Sequence, residues 1–238
     1  MNKAVEWGHI PENPLAKVKR YKVDNNPIPR YLSEEEEQRL RQALDQREQQ
    51  HRAKRTSHNL WLAERGKPAR PALTPFVYTC HLAPMVLLAM NTGLRRGELF
   101  NLTWANVNLR KNQLTVAGEG AKSGKTRHIP LNKEALAVLT RWQQSTKATQ
   151  GLVFPSENGQ PFESIKKGWH ALLNKAGIEG FRFHDLRHHF ASKLVMAGVD
   201  LNTVRELLGH SDYAMTLRYA HLAPEHKQDA VERLMSRY

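Results

Sequence analysis

The stretch Leu82-Ala83-Pro84-Met85-Val86-Leu87-Leu88-Ala89-Met90-Asn91-Thr92-Gly93-Leu94-Arg95-Arg96-Gly97-Glu98-Leu99 decides the class of fold. Leu82–Met90 is the longest apolar run of the chain, far short of the roughly 20 residues a membrane span needs. It is continuous rather than alternating, which predicts a helix buried on most sides. Thr92-Gly93 closes it, with Gly93 placed to take the left-handed cap conformation. A second short helix is expected over Leu94–Leu102, so a buried helix hands the chain to a pair of arginines, Arg95 and Arg96, at the joint.

Working outward, Val107–Leu109, Gln113–Val116 and Arg127–Pro130 have strand composition. Turns are expected at Arg110–Asn112 and Gly118–Gly124. Everything after them reads as helix: Lys133–Gln144, Ser164–Ala176, Asp185–Ala197, Leu201–Leu208, Tyr213–Ala220 and Pro224–Ser236, with Gly177, Gly180, Gly198 and Gly209 between several of them. Upstream, Ser33 followed by Glu36 is a capping-box pattern, and Glu34 to Glu37 suit a positive helix N-terminus. Leu40 and Leu44 continue one face of that helix. Leu186, Phe190 and Leu194 recur at steps of four and are expected to face the core, with Trp104 and Trp169 as core anchors. The fold class expected is α+β, mostly α-helical with a small three-stranded antiparallel sheet.

The charge balance narrows the partners. The 238 residues carry 36 Lys+Arg against 23 Asp+Glu, a net charge of +13 that favours a polyanion such as nucleic acid or an anionic membrane surface. A lone cysteine, Cys80, excludes an intramolecular disulfide and a multi-cysteine zinc site, and fits a reducing compartment. The N-terminal residues hold no apolar segment of signal-peptide type, so a soluble, intracellular, basic protein is expected. Lys17-Val18-Lys19-Arg20-Tyr21-Lys22 with Pro27 and Pro29 is linker-like. Gln46–Arg70 is polar and basic; the plain reading is solvated surface, the sharper one contact with a DNA backbone.

Groups able to do chemistry recur at turns and helix starts. They are Arg95; Lys122 or Lys125 in the second strand turn; His184 and Arg187 in His184-Asp185-Leu186-Arg187-His188-His189; His210 in Leu208-Gly209-His210; and Tyr219. Together they make a cationic, acid–base-competent set with one oxygen nucleophile. No carboxylate cluster accompanies them, which argues against two-metal phosphoryl chemistry. His184 and His188 are spaced as zinc ligands can be, but no H-E-x-x-H pattern is present, and His188 and His189 read as ordinary helix or DNA-face residues. Tyr213 is a rival nucleophile only three residues from His210.

These segments resemble the boxes of the tyrosine recombinase (phage integrase) family. Thr-Gly-Leu-Arg-x-x-Glu-Leu is similar to its first arginine box and His-x-x-Arg to its second. Leu-Gly-His with a tyrosine nine positions on is similar to its third box and nucleophile. Lys122-Ser123-Gly124-Lys125-Thr126-Arg127-His128-Ile129-Pro130-Leu131 resembles the β-turn that carries its lysine. The resemblance runs over about Arg30–Tyr238 and implies the family's catalytic-domain fold. It also implies a metal-independent, cofactor-free strand exchange through a 3′-phosphotyrosyl link, which integrates or excises a phage or other mobile element. It further implies roles: Arg95 and Arg187 grip the phosphate, which suits forked, permanently charged donors. His184 accepts a proton, Lys122 protonates the leaving 5′-oxygen, His210 hydrogen-bonds the phosphate and Tyr219 attacks. Tyr219 is favoured over Tyr213, and Lys122 over Lys125, by the family's spacing. Glu98 would orient a cationic neighbour. Arg96, Lys125 and Arg127 are candidate DNA contacts.

The resemblance implies double-stranded DNA as partner and a homo-tetramer on DNA, with a monomer expected off it; no membrane and no small-molecule substrate enter. The expected division is 1–30 as the end of a core-binding domain plus linker, and 31–238 as the catalytic domain, an excised catalytic fragment. The helix expected over Pro224–Ser236 packs in cis or on a neighbouring protomer. Three other readings stand beside this one. They are a non-catalytic DNA-binding regulator on the same fold, a topoisomerase-like nicking–closing enzyme, and a basic RNA-binding module, disfavoured by 8% aromatic residues.

Overall fold

The computed structural model describes residues 1–18, 29–118 and 126–223. Among them the order is α1 (Asn2–Glu6), α2 (Glu34–Ala63), α3 (Leu82–Thr92), α4 (Arg96–Phe100), a 3₁₀ turn (Trp104–Asn106), β1 (Val107–Asn108), β2 (Gln113–Val116), β3 (Arg127–Pro130), α5 (Lys133–Thr146), α6 (Lys166–Ala176), α7 (Asp185–Met196), α8 (Leu201–Leu208), α9 (Ala214–Leu217) and a 3₁₀ turn (Ala220–Leu222). The fold is mostly helical with one small antiparallel sheet in the order β1-β2-β3. The turn carrying Lys122 and Lys125, and the helix expected over Pro224–Ser236, lie outside the described residues.

Helix α3 is the hub. Leu82, Ala83, Met85, Val86, Leu88 and Ala89 are buried, and the helix packs against both α5 and α7. Burial on every side is what an unbroken apolar run dictates. Gly93 ends the helix at φ +61°. A Cβ there would stand 2.4 Å from the Phe190 ring, so glycine serves both the left-handed cap and the close approach of α7. In the sheet, Leu114 lies opposite Ile129 and both face the core, while Thr115 and His128 point outward. The period of two has a consequence at Arg127: it shares the inward face with Ile129.

Helix α2 opens with the capping box: Ser33 Oγ accepts from the Glu36 amide at 3.2 Å, and Glu36 Oε2 accepts from the Ser33 amide at 3.0 Å. The helix then runs 30 residues, well beyond the Leu40–Leu44 segment that the apolar spacing marks. The segment ahead of it joins the body. Pro29 and Leu32 are buried, and the Arg30 guanidinium lies over the Phe181 ring, 5.5 Å from its centroid.

Other expectations shift by a residue or two, with two larger departures. Tyr213–Ala220 is a single α-turn (α9) followed by a 3₁₀ turn, not one helix. In α7 the buried stripe is Leu186, His189, Ala191, Ser192 and Val195, while Phe190 and Leu194 are half-buried against a second, smaller cluster. That cluster consists of Ala191, Val195, Val204, Leu208 and Tyr219. Helix α7 therefore joins two cores, and two faces of it are covered. Trp104 and Trp169 are buried core residues.

Candidate active site

Three chain reversals bring the expected residues together. The α3–α4 joint presents Arg95, the start of α7 presents His184 and Arg187, and the chain after α8 presents His210 before α9 and Tyr219 after it. With His188, Ser211, Met215 and Arg218 they line a cleft of about 430 Å³. Larger clefts exist, one of about 1060 Å³ that shares Arg95 and His184 with it. Arginine, histidine and phenol converge in the smaller one.

Arg187 is 4% exposed and fixed by backbone. Its Nη1 donates to the Gly93 carbonyl at 2.8 Å and its Nη2 to the Leu208 carbonyl at 2.6 Å. The carbonyls at the ends of α3 and α8, orphaned where helices stop, thus find a charged donor. Burial, then the neighbouring Arg95, pulls its pKa down to about 9, which leaves it cationic at neutral pH. Arg95 is half-buried; its Nη2 donates to the Gly209 carbonyl at 3.2 Å and its Nη1 to Glu98 Oε1 at 2.8 Å.

Glu98 holds the arginines in place. Its carboxylate accepts from Arg95 Nη1 and the Arg95 amide, each at 2.8 Å. It also accepts from Arg127 Nη1 at 3.0 Å and Arg127 Nη2 at 2.6 Å. Burial would raise its pKa, but the Arg127 guanidinium, then Arg95, overcome that and hold it at about 2. Arg127 corrects an expectation. It is not a free DNA contact: it is 8% exposed, its fork is taken by Glu98, and its Nε donates to the Leu207 carbonyl at 3.0 Å. Gly209 leaves it room, since a Cβ there would lie 2.8 Å from Arg127 Cδ. Arg96 is exposed, on the wall of the larger adjoining cleft.

Tyr219 is 1% exposed, and its hydroxyl lies 2.6 Å from His188 Nδ1. Burial pushes the phenol up to about 12, against the pull of Arg187 and Arg218. Burial, then His184, pushes the His188 imidazolium down to about 4, so His188 is neutral, and in its Nε2–H tautomer Nδ1 is the acceptor for the phenol O–H. The phenol's partner is thus His188 and not His184. His184 is exposed at the α7 N-cap and edge-on to His188, with ring centroids 5.4 Å apart. Partial desolvation of the ring by the cleft walls, then Arg187, also lowers His184. His210 is buried, its Nδ1 2.9 Å from Thr216 Oγ1; burial, then Arg187 and Arg95, pushes it down to about 3. Tyr213, the rival nucleophile, is exposed and outside the cleft lining.

Two residues here carry no signal in the spacing alone. His188 was legible only as one of three histidines at the α7 start. Arg218, beside Tyr219, is half-buried with an Nε that lacks a partner among the described residues. Likewise among the described residues, no group of three His, Cys, Asp or Glu could hold a metal ion, and no helix is long and apolar enough to cross a membrane.

Comparisons with known proteins converge on one family. The phage integrase family profile matches residues 72–226. The integrase of Salmonella phage P22 is 35% identical over 156 residues, covering 61% of this chain and 40% of the relative. A tyrosine recombinase XerD of Pseudomonas putida is 32% identical over 207 residues, covering 83% of this chain and 59% of the relative. The chain therefore spans about half the length of the curated relatives it matches. Among solved structures, the XerA recombinase superposes with a TM-score of 0.60 at 25% identity, covering 89% of this chain and 67% of that one. The catalytic domain of bacteriophage HP1 integrase gives a TM-score of 0.54 at 25% identity, covering 85% of this chain and 93% of that one. With the profile spanning Arg95, Arg187, His210 and Tyr219, and the fold shared with both structures, the chain belongs to the phage integrase family.

Proposed function

We propose that this chain is the catalytic part of a site-specific DNA recombinase that integrates or excises a phage or other mobile element. The observation that carries the reading is the convergence of Arg95, His184, Arg187, His188, His210 and Tyr219 on one cleft. The Tyr219 oxygen attacks a backbone phosphorus. The Oη–P bond forms, the P–O5′ bond breaks, and a 3′-phosphotyrosine and a 5′-hydroxyl result. Arg95 and Arg187, already anchored by backbone carbonyls, face the two non-bridging oxygens without having to reorganise as charge gathers. His210 hydrogen-bonds the same phosphate. The phenol proton leaves along its bond to His188 Nδ1; a phenol near pKa 12 has to lose it within the attack step. By resemblance, Lys122 supplies the proton to the leaving O5′, with Lys125 as its rival and as a further DNA contact alongside Arg96. Because the covalent link keeps the energy of the broken bond, rejoining is the same step in reverse and draws on no cofactor.

The substrate is double-stranded DNA, on which four copies of the chain assemble. Residues 31–238 form the catalytic domain, and 1–30 carry the end of a core-binding domain and the linker. The protein works in the cytoplasm, associated with the nucleoid.

Strand transfer tests the reading. The adduct formed on a nicked duplex is challenged with a second duplex bearing a 5′-hydroxyl. Joining of the two DNAs with release of protein is expected. Reclosure of the original strand alone would move the reading to a nicking–closing enzyme.

His188 gives a second test. His188→Ala leaves a buried phenol without its acceptor and is expected to slow single-turnover adduct formation by about 10²-fold, the low end of a general-base effect. Duplex affinity should hold. In the wild type the rate should fall as pH drops through about 4, where His188 protonates, and this limb should vanish in the variant. An unchanged rate and profile would remove His188 from the chemistry.

A further inference from the structure

The distal half of α2 and the segment that returns from it form an arm with no role in the site. Residues 47–70 hold seven Lys and Arg against two Glu, and they precede residue 72, where the match to the phage integrase family begins. The arm is an ordered hairpin. Arg52 donates to the Thr74 and Val77 carbonyls, Arg55 to the Pro71 carbonyl, and Asn59 exchanges hydrogen bonds with the Arg70 backbone. Of its two glutamates, Glu48 is buried against Arg52 and Thr79, and Glu64 faces Arg65. Charge on the opposite sides of the hairpin is thus internally used. What remains is a stripe on one helix face at helical spacing, Arg47, Lys54, His58 and Trp61, with His51 between them engaged 3.1 Å from Thr79 Oγ1. At its far end the Arg65 guanidinium lies 4.2 Å and the Lys67 ammonium 5.8 Å from the Trp61 ring centroid. Lys54, Lys67 and Arg70 are exposed, with no salt bridge among the described residues.

The stripe connects to the active cleft. That cleft shares Arg95 and His184 with the larger one, which continues past Arg96 and Arg182 to Lys166 and His170. Lys166 and His170 in turn belong to a third cleft, of about 960 Å³, whose opposite wall is Arg47 at the base of the arm. Lys167 lines it too, with Glu157 as the acidic member. The Nε of Arg47 is buried there and lacks a partner among the described residues. Basic side chains, Arg95, Arg96, Arg182, Lys166 and Arg47, therefore recur along these adjoining clefts from the active site to the arm, with Glu179 and Glu157 the acidic residues among them.

We propose that this arm is a second DNA-binding surface, which grips the phosphate backbone of the duplex beyond the cleavage site through Lys54, Lys67 and Arg70. The proposal rests on the reading of DNA as substrate. From residue 47 to the helix end the arm is about 24 Å long, the length of about seven base pairs. It contacts phosphates and so lengthens the footprint without reading sequence.

The test compares the full chain with a K54Q/K67Q/R70Q variant, chosen because all three side chains are exposed and take part in no salt bridge among the described residues. Binding is measured across a salt series on two duplexes, one ending close to the cleavage site and one a helical turn longer on each side. The wild type should bind the longer duplex at least about 10-fold more tightly, and the variant should lose that difference. Each lost phosphate contact lowers the slope of log affinity on log salt by about 0.9, so the slope on the long duplex should fall by about 2 to 3. Adduct formation on the short duplex should be retained. Equal affinity and slope for wild type and variant on the long duplex would overturn the proposal, and the arm would be solvated surface or a site for protein. The recombinase reading fails separately. If the wild type forms no adduct at Tyr219 while the length dependence holds, the arm stands and that reading falls. If the wild type binds no duplex even at low salt, both fall.

Discussion

Arg187→Lys is expected to lower the single-turnover rate of covalent adduct formation by about 10²–10³, the usual loss when one fixed donor to developing charge is removed. The charge is kept; the geometry is not. A guanidinium has five N–H donors in a rigid fork, and Arg187 spends two of them on the Gly93 and Leu208 carbonyls, which leaves others free to point into the cleft. An ammonium on a flexible stem cannot bridge two helix ends and a phosphate at once. One carbonyl is then left unpaired in a buried site, at a cost of about 1–3 kcal/mol, so the variant should also melt earlier. Duplex affinity should change less than rate, because the cationic charge that attracts the phosphate backbone is kept. A variant with near wild-type rate would show that Arg187 acts as structural glue between α3, α7 and α8, and no more.

The second large effect is on the carboxylate behind the arginines. Glu98→Gln should cost about 3–5 kcal/mol of stability, the range for breaking a buried ion pair from one side, because Arg127 stays buried with its charge uncompensated. In a domain of this size that is on the order of 10 °C in Tm. Activity should fall with it, since Arg95 loses the partner that aims its guanidinium. The pH dependence carries a sign. The folded Glu98 carboxyl, at about 2, lies below the 4.5 of an ordinary glutamate. The unfolded chain therefore binds the proton first. The contribution is complete above about pH 4.5 and is lost as pH falls from there through about 2. Glu98→Gln should flatten that part of the acid unfolding curve. A wild-type Tm in the variant would mean that Arg127 finds another partner and that the bridge is dispensable.

Most of the fold was legible because most of it is written in short-range rules. The run Leu82–Met90 with Gly93, the capping box at Ser33, and the alternation of Gln113–Val116 each specify their element locally, and each appears where those rules place it. Arg127 was misread although its signal was present. Ile129 faces inward, so the residue two positions before it in the same strand must as well. The length of α2 could not be read, because residues 46–63 have no apolar period. The helix persists there through hydrogen bonds from Arg52, Arg55 and Asn59 to the segment 70–77 that returns along it. His188 was hidden for a related reason. Its spacing says only that it shares a helix face with His184. That the next turn of chain lays the Tyr219 hydroxyl on its Nδ1 is a tertiary fact. Phe190 and Leu194 looked like core residues of one cluster and are instead the half-covered edge of a second, the cluster that buries the tyrosine.

If Tyr219 is the nucleophile of a metal-free transesterification, it forms a covalent link to DNA. The most direct measurement is a covalent trap: the protein is incubated with nicked duplexes spanning candidate junctions in EDTA, resolved on denaturing gels beside Tyr219→Phe, and any adduct is mapped by peptide mass spectrometry. The expected result is an EDTA-resistant adduct on the peptide that contains Tyr219, absent from the variant. An adduct on Tyr213 or any other tyrosine, or an adduct that persists in Tyr219→Phe, would contradict it.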